Sequence, residues 1–164
     1  MVDYDRRATS ARKQAYQDWF ASDFAWTHQL TIAYQRAVEL PEMTRVLRTI
    51  LQWYDRRALG RYYLRKTDQR VLAIAIPEML GSKNPHWHVL MQFRDVWATY
   101  QTDLVGLQLR FADIAAKVDP RADLLLKEVG PRSSDRQVIV DYFLKRVWQE
   151  EHLDRIMFSR EFWR

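Results

Sequence analysis

Alternation of apolar and polar residues predicts a two-faced strand at residues 86–93. One face carries Trp87, Val89, Met91 and Phe93, and the opposite face carries His86, His88 and Gln92. Such a strand buries its apolar face and leaves the other face for polar chemistry. Because neutral imidazole is the commonest protein ligand for metals, two histidines on one face indicate a metal site. The alternative is two surface histidines on a half-exposed strand.

Along the rest of the chain, segments with the two-residue period of strands alternate with segments that have the 3.6-residue period of helices. A charged and then aromatic N-terminal segment predicts a helix, and residues 44–60 carry one apolar helical stripe. The predicted helices are 3–24, 44–60 with an alternative end at 64, 96–117 and 134–149, and the predicted strands are 28–34, 70–78, 86–93 and 122–129. Leu40-Pro41 is interpreted as a break, and Ser134 to Gln137 as a capping box that opens the last helix.

This order of elements predicts an α+β fold. After the N-terminal helix it runs β-α-β-β-α-β-α, the split β-α-β arrangement of ferredoxin-like and RRM-like domains. We expect an antiparallel sheet with helices packed on one face and the other face available. Residues 1–24 are interpreted as a helical extension and residues 25–164 as the functional domain.

Composition narrows the class of protein. The chain has 164 residues, which suits one domain, and a net charge of +5 that favours an anionic partner. It contains no cysteine, which excludes disulfides and thiolate metal sites and suits a reducing compartment. No apolar stretch has the length of a membrane span and no signal peptide is visible, so we expect a cytoplasmic protein without a membrane partner.

A third metal ligand depends on the pairing of the two central strands. Residues 70–78 and 86–93 should form a hairpin across the turn at Gly81 to Asn84. If paired residue numbers sum to an even value, Glu78 shares a face with His86 and His88; an odd register, or a bulge at Pro77, points Glu78 away. Two imidazoles and one carboxylate suit Mg²⁺ or Mn²⁺, with Zn²⁺ or Co²⁺ as substitutes. The alternative for Glu78 is a solvated carboxylate at a strand end.

The last predicted helix carries a candidate nucleophile. Tyr142 and Lys145 are three residues apart and therefore neighbours on the helix surface. Tyrosine is ordinarily protonated at neutral pH, so its attack on a phosphate needs a metal that neutralises phosphate charge and a cation such as Lys145. The alternatives are a packing role for Tyr142 and an ion pair between Lys145 and Asp141.

These elements, in this order, resemble the HUH endonucleases, and among them the single-tyrosine rolling-circle replication initiators of plasmids, phages and viruses. The resemblance covers roughly residues 25–150: a first strand at 28–34, the acidic residue Glu78, the His-hydrophobic-His motif at His86 to His88, and Tyr-x-x-Lys at Tyr142 to Lys145. It implies that Tyr142 attacks a phosphate of single-stranded DNA and leaves a 5′-phosphotyrosyl link. A second tyrosine four residues on is absent, since Arg146 stands there.

The resemblance also implies the partners. These are single-stranded DNA at a replication origin or hairpin, and host replication proteins; the oligomeric state is left open. His28 is a further candidate neighbour of the metal. The candidate DNA-binding residues are Arg61, Arg65, Lys66, Lys83, Arg94, Arg132, Arg136 and Arg146, because backbone phosphates dominate affinity. A transposase or mobilisation relaxase would use the same residues, and a non-catalytic RRM-like nucleic-acid-binding module would use the same sheet.

Overall fold

The computed structural model describes residues 2–93, 104–130, 132–149 and 156–160. Within them an antiparallel sheet packs with helices, so the predicted α+β class is confirmed. The helices are α1 (Val2–Ser22), α2 (Leu40–Leu59), α3 (Leu104–Val118) and α4 (Ser133–Gln149), with a 3-10 helix at Gly60–Arg65. The strands are β1 (His28–Tyr34), β2 (Leu72–Glu78), β3 (His86–Gln92), β4 (Ala122–Glu128) and β5 (Met157–Phe158).

The sheet has the strand order β4-β1-β3-β2-β5, and every pair is antiparallel. The first four strands form the split β-α-β arrangement that the order of elements predicts. The short β5 adds to the free edge of β2 through the pairing of Ile74 with Phe158. This order places β3, with its two histidines, in the middle of the sheet.

One side of the sheet, which we call the packed face, is covered by α2 and α3. Alternate residues of β1 and β3 point into this layer, including Leu30, Ile32, Trp87 and Val89, all fully buried. The apolar stripe of α2 meets them through residues such as Ile50 and Leu51. Burial of this much apolar surface is the main stabilising contribution in a domain of this size.

The opposite side, which we call the site face, carries Glu78, His86 and His88, and it is not bare. Phe20 of α1 and Phe143 of α4 pack there against Ile74 of β2 and Leu90 of β3. The two helices also join through the Gln17 amide, which donates to Asp141 at 3.0 Å. The helices therefore cover part of this face, next to the histidines, and leave β1 and β4 accessible.

Two predicted helix starts are wrong. Helix α2 begins at Leu40, because Pro41 fits the first turn, where its missing N–H costs nothing. Helix α4 begins at Ser133: the Asp135 carboxylate accepts the Arg132 backbone N–H at 3.4 Å, whereas the Gln137 amide donates to Asp141 at 2.8 Å. The capping role thus belongs to Asp135, whose charge also suits a helix start. Residues 96–103 of the third predicted helix lie outside the described residues.

Across the described ranges, no helix has both the length and the apolar character needed to cross a bilayer.

Candidate functional site

The hairpin of β2 and β3 brings three ligand-type side chains together. Glu78 pairs with His86 and Ile76 with His88, and the ladder runs without a bulge from Leu72 to Glu78. The even-sum register is therefore confirmed, and Pro77 does not interrupt it. Since directly paired residues point to the same face, the carboxylate of Glu78 meets both imidazoles. One ligand atom from each of the three side chains lies within 4.8 Å of the others.

Both imidazoles approach the same carboxylate oxygen. His86 Nε2 lies 3.0 Å from Glu78 Oε2, and His88 Nε2 lies 3.4 Å from it. Neighbouring ligands of an octahedral ion bound at 2.0–2.1 Å are about 3.0 Å apart, and those of a tetrahedral ion about 3.4 Å apart. The spacing of these three groups therefore fits a divalent cation of either geometry.

The hydrogen bonds of His86 also fit a metal-binding role. Its Nδ1 lies 3.1 Å from the carbonyl oxygen of Asn84, which only accepts, so Nδ1 carries a proton. Nε2 faces a carboxylate, which also only accepts. The ring is then either an imidazolium or a neutral imidazole whose Nε2 lone pair shares a cation with Glu78. An Nδ1–H donated to a backbone carbonyl is the usual way in which a protein orients a metal-binding histidine.

Glu78 is a carboxylate at acidic as well as neutral pH. The residue is 3% exposed, and burial alone would raise its pKa. The hydrogen bonds from His86 and His88 outweigh burial and lower the pKa of Glu78 to about 2. Next to it, Met79 has a left-handed backbone with φ of 55°, a strained conformation for a residue with a side chain. A charged, buried carboxylate flanked by backbone strain is typical of a functional site.

Helix α4 brings Tyr142 to this cluster. The Tyr142 and His88 ring centroids are 6.0 Å apart, with the planes at 90°, and the Tyr142 side chain is 47% exposed. Val140, Phe143 and Leu144 point inward, as the predicted apolar stripe requires. Tyr142 is therefore held beside the candidate metal-ligand cluster, with about half of its surface exposed to solvent.

Lys145 follows Tyr142 by one helical turn and is exposed. Among the residues that the structure describes it forms no ion pair, so the alternative pairing with Asp141 is absent. Asp141 instead accepts hydrogen bonds from the amides of Gln17 and Gln137. The ammonium group of Lys145 is free to meet an anion near Tyr142.

His28 does not join the cluster. It pairs with Met91, which points to the packed face, and its ring centroid lies 4.6 Å from that of Phe93. Burial there lowers the pKa of His28 to about 4. The prediction that His28 neighbours the metal site is wrong, because the His28 side chain lies on the packed face, whereas Glu78, His86 and His88 lie on the site face.

The candidate DNA-binding residues fall into separate groups. Lys83 lies exposed in the hairpin turn beside the metal ligands, and Arg132 and Arg136 lie at the start of α4. Arg61, Arg65 and Lys66 lie in and after the 3-10 helix that precedes β2, so the length of that strand, about 20 Å, separates them from Glu78. Arg94 lies outside the described residues, as does the side chain of Arg146.

Sequence reasoning missed a cleft between α4 and the uncovered strands. It is lined by Gln29, Thr31, His88, Leu125, Lys127, Val138, Ile139 and Tyr142 and encloses about 440 Å³. The sequence does contain a signal for the cleft in its alternation. Gln29 and Thr31 alternate with buried residues of β1, and Leu125 and Lys127 alternate with buried residues of β4. Only the strand order, with β1 between β3 and β4, shows that these residues lie beside His88.

No protein-family model and no curated protein matches the chain. Among solved structures, it is similar to the hypothetical protein ORF119 from Sulfolobus islandicus rod-shaped virus 1, with a TM-score of 0.50. The two sequences are 16% identical, and the match covers 81% of this chain and 91% of the viral one. At this identity the likeness concerns the fold alone.

Proposed function

We propose that this protein is a metal-dependent single-stranded DNA nickase and strand-joining enzyme of the HUH type, which starts rolling-circle replication through a 5′-phosphotyrosyl intermediate. The observation that carries the proposal is the placement of Tyr142, whose ring centroid lies 6.0 Å from that of His88 on the face where Glu78 and His86 converge. Two distant sequence segments thus supply a nucleophile and a metal-ligand set to one open surface.

The metal would be held by Glu78, His86 and His88. Three protein ligands leave positions for water and a phosphate oxygen, and the mixed oxygen and nitrogen set suits Mg²⁺ or Mn²⁺. When bound, the ion would polarise a non-bridging phosphate oxygen and offset the charge that develops there.

The transfer step follows from the position of the phenol. The Tyr142 oxygen attacks the phosphorus of a backbone phosphate and gives up its proton to solvent, which reaches this half-exposed side chain. The new bond joins phosphorus to the tyrosine oxygen, and the bond between phosphorus and the 3′-oxygen breaks. The leaving oxygen takes a proton and becomes a free 3′-hydroxyl, and the reverse reaction rejoins strands. Lys145, one turn along the helix, supplies positive charge to the phosphate.

The DNA would cross the site face, where Lys83 lies beside the metal ligands and Arg132 and Arg136 lie at the start of α4. Contacts to phosphates fix the position of the strand without reading its sequence. A transposase or a mobilisation relaxase would run the same chemistry on a different DNA, and the substrate rather than the site separates these functions.

The test is covalent capture of DNA. The protein is incubated with Mn²⁺ and a randomised single-stranded DNA library, boiled in detergent, and examined for a DNA adduct by mass spectrometry of the modified peptide. We expect an adduct on Tyr142, lost in Tyr142→Phe but kept in Tyr62→Phe, a control tyrosine with a similar exposed fraction of 49%.

Two other results would overturn the proposal. Binding of the library without any adduct in the wild-type protein would favour the non-catalytic nucleic-acid-binding module. An adduct on another residue would remove Tyr142 from the chemistry. Because Tyr142→Phe removes only a hydroxyl from a half-exposed side chain, we expect its DNA affinity to equal that of the wild-type protein, which confirms that the variant is folded.

A further inference from the structure

We propose that the cleft beside Tyr142 binds one unpaired nucleobase next to the scissile phosphate, and that Gln29 and Thr31 read the identity of that base. This inference rests on the proposed function, since it names the part of the substrate that the same site selects. The cleft lies between α4 and the strands β1 and β4, and it opens directly onto Tyr142 and His88.

Strand pairing builds the floor of the cleft. Thr31 of β1 pairs with His88 on one side and with Leu125 on the other, so these three residues form one row across the sheet. Gln29 forms the next row with Lys127. Directly paired residues share a face, so the amide, the hydroxyl and the ammonium group all lie on the site face beside His88.

The polar groups of the floor have no partner among the residues that the structure describes. In the part of the chain that the structure describes, neither the Gln29 amide nor the Thr31 hydroxyl forms a side-chain hydrogen bond, although both residues are half-buried. Half-buried polar groups are normally hydrogen-bonded, to water where no protein group is in reach. A ligand that presents donors and acceptors along one edge would satisfy both groups at once.

The rest of the cleft, from Leu125 at the edge of the floor to the helix wall, is apolar and exposed. Leu125 is 46% exposed, Val138 is 70% exposed, and the Tyr142 ring completes the wall. Such side chains gain by covering the faces of a flat, partly apolar group, and bases stack well on aromatic rings. A volume of about 440 Å³ lies within the ordinary range for small-ligand sites, which suits one base with part of its sugar.

Charge at the rim agrees with this occupant. Lys127 is exposed and makes no ion pair with any residue in the described ranges. It lies directly across from Gln29 on β4, the strand on the outer side of β1. A cation there would meet the phosphate that follows the bound base. Apolar walls, an amide and a hydroxyl without a partner in the described ranges, and a cationic rim together match a nucleotide.

The amide also indicates which base fits. A glutamine amide offers one donor and one acceptor side by side, which matches adenine. A threonine hydroxyl can either donate or accept a hydrogen bond. We therefore expect adenine to be preferred at one position beside the cut. A good two-bond contact discriminates against the wrong base by roughly five- to 150-fold.

The experiment reads the base at every position around the cut. Wild-type protein, Gln29→Leu, Thr31→Val and Lys127→Ala are each incubated with the randomised single-stranded library and Mn²⁺, and the adduct-linked and released DNA ends are sequenced. We expect the wild-type protein to enrich one base immediately beside the cut, and Gln29→Leu and Thr31→Val to reduce that enrichment at least fivefold at that position alone. Lys127→Ala should lower the yield from all sequences alike. Gln52→Leu, on the helix that covers the packed face, is the matched control.

Failures of the two proposals are distinguishable. An adduct in the wild-type protein with equal bases on both sides of the cut, or with a preference that survives in both Gln29→Leu and Thr31→Val, overturns the base pocket and leaves the nickase intact. Absence of any wild-type adduct overturns the nickase. In that case affinity selection of the same library by the wild-type protein still tests the pocket, because a base preference lost in Gln29→Leu requires no cleavage.

Discussion

The two faces of the sheet use the same strand in opposite ways. On the packed face, β3 presents Trp87, Val89 and Met91, all fully buried against α2 and α3. On the site face it presents His86 and His88, which converge on a buried carboxylate beside an exposed tyrosine. The difference shows that burial alone explains the first set of residues, whereas the second set gathers groups of the kind that could hold a metal ion.

The histidines make the contrast sharper. His28 lies on the packed face against Phe93, and burial lowers its pKa to about 4, so it is neutral. His86 and His88 lie on the site face, and both point an imidazole nitrogen at Glu78. The same residue type thus serves as a core aromatic on one side and as a candidate metal ligand on the other.

The largest expected effect comes from removing ligands on the site face. His86→Ala and His88→Ala should each abolish DNA cleavage and the rise in melting temperature on adding Mn²⁺, because two remaining ligands hold the ion weakly. A saturating ion, at 100 times its dissociation constant, stabilises the wild-type protein by about 2.7 kcal/mol, which differential scanning fluorimetry detects. His28→Asn is the matched control and should keep the response. Loss of the Mn²⁺ response in His28→Asn but not in His88→Ala would reverse the comparison.

The second largest expected effect is the loss of stability when a buried side chain of the packed face is truncated. Trp87→Ala should lower the free energy of unfolding by about 3–5 kcal/mol, because a large buried aromatic leaves a cavity. The adjacent His88→Ala, measured in chelator, should cost less than half as much, since that position contributes little apolar packing. Urea unfolding of the two variants measures this difference. Equal costs would mean that the two faces of β3 are packed alike.

The pH dependence of stability separates two buried groups on the packed side. Burial raises the pKa of Asp55 to about 7, against the backbone hydrogen bond from Val71 and the charge of Arg70. From about pH 4 to pH 7 the folded protein holds a proton on Asp55 that the unfolded chain has lost, so stability falls as pH rises. His28 acts in the opposite sense between about pH 4 and 6.5, because its pKa is lowered and only the unfolded chain is protonated there.

We therefore expect the two contributions to offset each other in the wild-type protein. Between pH 5 and pH 6.5, Asp55→Asn should gain roughly 2 kcal/mol of unfolding free energy relative to the wild-type protein, and His28→Asn should lose roughly 2 kcal/mol. Urea unfolding at the two pH values gives both differences. Parallel pH profiles for all three proteins would contradict this account.

The smallest effect concerns the basic segment at the far end of β2. The Arg61 and Arg65 guanidinium groups lie 4.7 Å and 5.7 Å from the centroid of the exposed Tyr62 ring. If they meet DNA phosphates, the double variant Arg61→Ala, Arg65→Ala should bind single-stranded DNA more weakly and reduce the slope of log affinity against log salt by about 1.4. Cleavage at saturating DNA should be unchanged. Lys117→Ala, whose lysine pairs with Asp113 at 2.7 Å, is the control and should leave the slope unaltered.

Periodicity was enough to predict the hairpin from the sequence. The alternation of residues 86–93 separates the faces, but the sequence left both parities of the turn open, and the observed even-sum pairing is what puts Glu78 with His86. The facing of Tyr142 also follows, because Phe143 and Leu144 must point inward on a 3.6-residue helix. These predictions succeed because each depends on a local period.

Tertiary choices were out of reach of such reasoning. Nothing in the period of α1 shows that Phe20 packs on the site face, since an apolar side chain fits either layer. His28 and His88 look alike in sequence, and only the pairing of β1 with β3 assigns them to different faces. The cleft at Gln29 and Thr31 likewise depends on the strand order, which a single sequence does not specify.

The hydrogen bond between Gln17 and Asp141 has a consequence for the whole site. Tyr142 and the candidate metal ligands belong to separate elements, and a slide of α4 by one turn, about 5.4 Å, would bring a different residue opposite His88. The Gln17 amide of α1 helps to hold α4 in register at Asp141, one residue before Tyr142. The position of Tyr142 beside His88 thus depends partly on α1, and we expect a variant that lacks α1 to keep Glu78, His86 and His88 together while Tyr142 loses its fixed position.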